Sequence, residues 1–104
     1  MLDRKFFLGF INIHILYHTS KEPMFGVAIA EELARHGYKL NPGTLYPMLH
    51  RLEKVGYLES ISRVVNGRRR KYYQATTEGK QAFEELKERI TGLITEVIEG
   101  NIDD

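Results

Sequence analysis

The chain has 104 residues, enough for one ordinary domain, with 42% hydrophobic and 28% charged side chains and a formal net charge of +1. It contains no cysteine, which excludes disulfides, thiolate zinc sites and a cysteine nucleophile, and which fits a reducing cytoplasm. Met1 to Lys5 lacks the order of a signal peptide, and the apolar run from Phe6 to Leu16 is broken by Asn12 and His14 and is too short to span a bilayer, so no membrane partner is expected.

Residues 4–18 place Phe7, Ile11 and Ile15 four apart with Leu8 beside them, which predicts a helix buried on more than one side. Thr19 to Pro23 predicts a loop. A second helix is expected over 24–36, with Phe25, Ile29 and Leu33 on one face and Gly37 as its stop. A third is expected from about Gly43 to Val55. With Gly43 as cap, Pro47 would fall in the first turn and cost no backbone bond. On this helix Leu45, Met48, Leu49 and Leu52 share one arc, and Gly43, Pro47, His50, Arg51 and Lys54 share the other.

After Gly56, the runs Tyr57–Val65 and Arg68–Thr76 flank Asn66-Gly67, a dipeptide suited to the positive φ angles of a two-residue hairpin turn. A final helix opens at Thr77-Glu78 and runs to about Glu99. Its Phe83, Leu86, Ile90, Leu93 and Val97 are spaced 3, 4, 3, 4, a heptad seam widened by Ile94 and Ile98. The expected fold is mainly α with a small β-hairpin: a winged helix-turn-helix over 1–76 and a C-terminal dimerisation helix over 77–104, parts of one compact unit.

Charge is unevenly spread along this order. Residues 1–37 carry four basic and four acidic side chains, residues 38–75 eight basic against two acidic, and residues 76–104 three basic against eight acidic. The surplus of +6 thus falls on the third helix and the hairpin, which predicts a localised surface for a polyanion, namely double-stranded DNA. In a helix-turn-helix the second helix presents its N-terminal half to base edges. Here that half offers Thr44, Tyr46, Pro47 and His50, with Arg51 and Lys54 further along; Tyr46 serves equally well as a packing residue.

A two-residue turn pairs Val65 with Arg68, Val64 with Arg69 and Arg63 with Arg70, and two arginines directly opposite repel. Arg63, Arg68, Arg69, Arg70 and Lys71 around one turn therefore predict an anion at the wing, in or beside the minor groove. A solvated charged turn that discourages edge pairing is the plainer alternative. The heptad seam either packs on its own domain or pairs with a second copy, with the first helix sharing that interface. The paired arrangement is the one expected, since symmetric operators call for symmetric proteins.

His14 and His18 lie four apart, a spacing that can bind zinc, but with no cysteine and no acidic partner in that helix the expectation is no metal. His36 and His50 have no evident partner. No nucleophile with a base, phosphate loop or carboxylate pair is present, so neither catalytic residues nor a cofactor are expected.

The segment Leu40-Asn41-Pro42-Gly43-Thr44-Leu45-Tyr46-Pro47-Met48-Leu49-His50-Arg51-Leu52-Glu53, continuing as Lys54-Val55-Gly56-Tyr57-Leu58, resembles the recognition-helix signature of PadR-type regulators. Gly67-Arg68-Arg69-Arg70-Lys71-Tyr72-Tyr73 and Thr76-Thr77-Glu78-Gly79 are similar to that family's wing and entry to the last helix. The resemblance runs from roughly residue 25 to 85, departing at Phe25-Gly26-Val27, where the family commonly has Gly-Tyr. It implies a repressor binding a pseudo-palindromic operator as a homodimer, in the short branch that dimerises through its first and last helices. Some members of that branch hold flat aromatic effectors with tryptophan. This chain has no Trp, which leaves Phe6, Phe10 and Phe83 to line any such pocket. The rival reading is a winged helix used to dock proteins without touching DNA, for which four consecutive basic residues after the turn have no use.

Overall fold

The computed structural model of the protein describes residues 2–100. In chain order it comprises α1 (Arg4–Lys21), β1 (Met24–Phe25), α2 (Gly26–Arg35), α3 (Pro42–Lys54), β2 (Leu58–Val65), β3 (Arg68–Ala75) and α4 (Thr77–Leu93), the last extended by a π-helical turn over Ile94–Ile98. The expected winged helix-turn-helix order is present. Residues 101–104 of the predicted C-terminal segment lie outside the described residues. Among the described residues no helix is long and apolar enough to cross a membrane.

Several boundaries differ from the sequence reading. The first helix continues through Thr19, Ser20 and Lys21, where the sequence predicts a loop. Thr19 can stay helical while buried because its hydroxyl donates to the Ile15 carbonyl at 2.7 Å. Met24 and Phe25, expected to begin the second helix, are instead a short strand, pairing antiparallel with Tyr73 and Tyr72. The wing sheet thus has three strands in the order β1-β3-β2 rather than two.

The third helix begins at Pro42, not Gly43. Asn41 is its cap, accepting the Thr44 N–H on Oδ1 at 3.0 Å, and Pro42 supplies the preset φ favoured at a first helical position. Leu45 N–H already donates to Asn41 O at 3.1 Å, so Pro47 lies inside the regular ladder and removes the bond that would reach the Gly43 carbonyl. The expectation that Pro47 costs nothing is therefore corrected.

The core is the convergence of apolar faces anticipated from periodicity. Ile11, Ile15 and Leu16 of α1, Ile29 and Leu33 of α2, and Leu45, Leu49 and Leu52 of α3 are all buried, closed below by Leu58, Tyr73 and Ala75 of the sheet. Burying a leucine or isoleucine contributes about 1.5–3 kcal/mol, so the three leucines fix which face of α3 turns outward.

One junction holds α3, the wing and α4 in register. Thr76 follows β3 and caps α4: its hydroxyl oxygen accepts the Gly79 N–H at 3.0 Å and its O–H donates to the Gly56 carbonyl at 2.5 Å. Its N–H donates to the Tyr57 carbonyl at 3.1 Å. The first turn of α4 lies so close to that carbonyl that a Cβ on Gly79 would stand 2.1 Å from Tyr57 O. Only glycine fits without moving backbone.

The α4 seam divides along its length. Phe83, Leu86 and Ile90 are half-buried, and Phe83 and Leu86 pack against the domain's own core. Leu93 and Val97 are exposed. The π turn, in which Glu99 N–H donates to Ile94 O at 2.9 Å, interrupts the 3-4 spacing between them. Val97 does not continue a regular heptad, and five residues rather than four now separate Leu93 from the next position above it, Ile98.

Gly79→Ala is expected to destabilise the protein by about 1–3 kcal/mol through overpacking, outweighing the roughly 1 kcal/mol that alanine usually gains over glycine within a helix. Urea denaturation of both chains at matched protein concentration measures it; an unchanged midpoint would refute the close-packed junction.

Candidate nucleic-acid interface

The outer face of α3 follows from its inner one. With Leu45, Leu49 and Leu52 committed to the core, Pro47, His50, Arg51 and Lys54 are left exposed, while Thr44 and Tyr46 are half-buried. Tyr46, which served two readings in the sequence, packs: its ring lies against Gly26 at the start of α2, where an added Cβ would meet Cε1 and Oη at 2.9 Å. This contact sets α2 and α3 close together at the point where the family's usual pattern is departed from.

The wing has the register its turn dictated. Asn66 and Gly67 both take positive φ, at 52° and 77°, and Val65 faces Arg68, Val64 faces Arg69 and Arg63 faces Arg70. The opposed pair Arg63 and Arg70 is accommodated within the protein, however. The Arg63 guanidinium lies 5.0 Å from the Tyr72 ring centroid and that of Arg70 lies 5.2 Å from Phe25. Phe25 and Tyr72 themselves stack at 3.9 Å. Each arginine thus faces the negative face of an aromatic ring, and the two rings meet across the β1–β3 pair. An anion is not needed to explain why these charges coexist.

Lys71 is also engaged. Its Nζ lies 3.8 Å from Glu53 Oε1 on α3 and 5.5 Å from the ring of Tyr73. The same Glu53 accepts the Ser60 hydroxyl of β2 on Oε2 at 2.7 Å, so one half-buried carboxylate ties α3 to both strands of the hairpin. Burial raises the pKa of the Tyr73 hydroxyl above its ordinary value, and Lys71 opposes that shift. Among the described residues, Arg68 and Arg69 have neither an ion-pair partner nor an aromatic ring beneath them.

The two predicted clusters meet in part. An open cleft of about 450 Å³ separates α3 from β3, with Tyr46 and His50 on one wall, Arg68 to Lys71 on the other, and Phe25, Gly26 and Val27 at its end. Thr44, Pro47, Arg51 and Lys54 lie on α3 outside that lining, and Arg63 is on the β2 side of the wing. Sequence reasoning missed Phe25 and Glu53. Phe25 was read as helical core, and Glu53 carried no signal beyond being an acid within a basic segment. The structure also brings His36, which had no evident partner, beside His14 and His18.

Comparison with known proteins gives a consistent picture. Residues 15–85 match the Transcriptional regulator PadR-like family. The chain is 44% identical over 97 residues to the transcriptional regulator Rv3488 of Mycobacterium tuberculosis, covering 93% of this chain and 91% of that protein. Its fold is similar to that of a PadR family transcriptional regulator from Eggerthella lenta, with a TM-score of 0.77, 31% identity and coverage of 92% and 85% of the two chains. A PadR-like transcriptional regulator from Bacillus cereus aligns with a TM-score of 0.84 and 28% identity over 96% of this chain and 99% of that one.

A double-mutant cycle between Phe25→Ala and Arg70→Ala should return a coupling of about 0.5–1 kcal/mol, the range for an exposed cation–π pair. Thermal unfolding of the four chains measures it. Strict additivity would mean that the ring does not offset the Arg63–Arg70 repulsion.

Proposed function

The chain belongs to the PadR-like family of transcriptional regulators, and on that premise we propose that it is a repressor that reads a pseudo-palindromic operator as a homodimer. The observation that carries the reading is the shared basic flank of α3 and the wing, where His50 and Arg68 to Lys71 line one open cleft. In this arrangement α3 enters the major groove. Thr44, Pro47, His50 and Arg51 are its groove-facing residues, with Tyr46 packed on Gly26 behind them, and Lys54 reaches a phosphate. Arg68 and Arg69, free of internal partners among the described residues, lead the wing onto the backbone and minor groove. Arg63, Arg70 and Lys71 lend charge from positions already braced by rings or by Glu53.

Dimerisation is supported by the apolar side chains left uncovered on α1 and the C-terminal helix. Phe6 is 66% exposed and Val97 69%, with Phe10, Leu93, Ile94 and Ile98 also open to solvent. Large apolar side chains exposed together on a protein surface mark a site of association. Phe83, Leu86 and Ile90 then back the interface from the core side. A flat aromatic effector seated by Phe6, Phe10 and Phe83 would act by changing the angle between the two reading heads. The family is one of regulators rather than enzymes, which accords with the lack of a catalytic constellation in the sequence.

Fluorescence anisotropy with duplex DNA from upstream of the protein's own gene, against a random duplex and across salt, tests the DNA reading. Tight binding to the native duplex alone is expected, and Arg68→Ala and Arg69→Ala should each flatten the salt slope by about one unit. Absence of binding even at low salt would overturn the proposal in favour of a docking module. Sedimentation equilibrium tests the dimer. The native chain is expected to be dimeric at micromolar concentration and the Phe10→Glu, Val97→Glu double variant monomeric; a monomeric native chain would refute the interface.

A further inference from the structure

Outside the basic flank, one cluster of side chains stands unexplained. His14 and His18 lie one turn apart on α1, and His36 is the C-cap of α2. Their nitrogen ligand atoms all lie within 4.8 Å of one another. Glu32, one turn before His36, points its Oε1 at the same place, 3.9 Å from His18 Nε2 and 3.8 Å from His36 Nε2. Two helices thus each contribute an i, i+4 pair, His-x-x-x-His from α1 and Glu-x-x-x-His from α2, converging on one point. We infer that His14, His18, His36 and Glu32 form a binding site for a divalent transition-metal ion of the zinc class.

Three observations favour a ligand set over mere ring packing. First, His18 Nε2 is buried without a hydrogen-bond partner among the described residues; its nearest acceptor, Glu32, is too distant to bond. A buried polar atom left unmet costs about 1–3 kcal/mol, and a metal ion would satisfy it. Second, the chemistry is right: three imidazoles and one carboxylate are a full tetrahedral set for zinc. At Zn–N distances of roughly 2.0–2.1 Å such ligands stand about 3.3 Å apart, so no two of the histidines must close by more than about 1.5 Å. His36 is exposed at a helix end and has the freedom to swing inward.

Third, the surroundings orient the set. The Arg35 guanidinium pairs with Glu32 Oε2, leaving Oε1 towards the histidines. The His14 ring rests 4.8 Å from that of His36 and 5.1 Å from Tyr38, and Tyr17 packs 4.8 Å from His18.

The position of the site gives the ion a consequence, one that rests on the regulator reading above. α2 backs the helix proposed to read DNA, and α1 belongs to the proposed dimer frame. An ion held by both would lock the angle between reading head and frame, and metal binding and DNA binding would then be linked reciprocally.

Cobalt(II) alone is the first probe, titrated into metal-free protein carrying no polyhistidine tag. One equivalent per chain should produce the intense visible absorption of a tetrahedral site, displaced by zinc. His36→Gln, at an exposed position, should weaken cobalt binding by more than the roughly 10–100-fold that outer-shell changes cost. Glu32→Gln, which leaves the rings in place, should also weaken it. No saturable cobalt spectrum, or equal affinity in the native chain and His36→Gln, would overturn the site. The linkage has its own readout: zinc should change the affinity for operator DNA by about 5–150-fold in the native chain and leave His36→Gln unaffected. Unchanged DNA affinity in a chain that binds cobalt would overturn the linkage and leave the site standing. Failure to bind any duplex would instead refute the regulator reading, because the cobalt spectrum does not involve DNA.

Discussion

The arrangement of α3 and the wing depends on a contact in which one atom must be missing. At the junction of α3, the wing and α4, backbone meets backbone: the first turn of α4 lies against the Tyr57 carbonyl because Gly79 has no Cβ to hold it away. Thr76 completes the junction by bonding in three directions, to Gly56, Tyr57 and Gly79. The stop of one helix, the end of the wing and the start of another are thereby reduced to a single rigid knot. The direction in which α4 leaves the domain is set here, and so is the plane of the wing relative to α3.

Electrostatics in the wing shows two tasks being divided among similar residues. A row of like charges on a two-stranded ribbon repels itself, and this chain answers by placing rings and a carboxylate beneath some of the charges. Phe25 and Tyr72 serve Arg70 and Arg63, and Glu53 serves Lys71. The third strand is what makes this possible, since Phe25 reaches Tyr72 only by pairing beside it. Arg68 and Arg69 at the turn are left to point outward. Residues that look interchangeable in the sequence thus differ in what they are free to do.

Much of the fold was legible because its signals are local. The Asn66-Gly67 turn determined the strand register correctly, since a two-residue turn admits one pairing. The leucines of α3 and the isoleucines of α1 identified the core through spacing alone. What escaped the sequence reading was settled at a distance or by competition between neighbours. Met24 and Phe25 carry a helix-compatible pattern and become a strand only because β3 offers an edge. The start of α3 moved because Asn41 outcompetes Gly43 as a cap, and Pro47 changed its meaning with it. His36 acquired companions from another helix, which no spacing within α2 could reveal. The turn sets Arg63 opposite Arg70, while the rings that offset their repulsion are brought there only by the fold.

The two-residue strand β1 has a consequence for how the protein comes to be folded. Pairing Met24 with Tyr73 joins residues 49 positions apart, a closure whose entropic cost falls before any contact across it can repay it. The hairpin β2–β3 is local and can form early, yet its third strand, and with it the ring beneath Arg70, arrives only when the opening third of the chain has found the wing. Until then Arg70 lacks the ring that offsets its opposition to Arg63. The full bracing of the charged ribbon is in this sense among the last features the chain acquires as it folds.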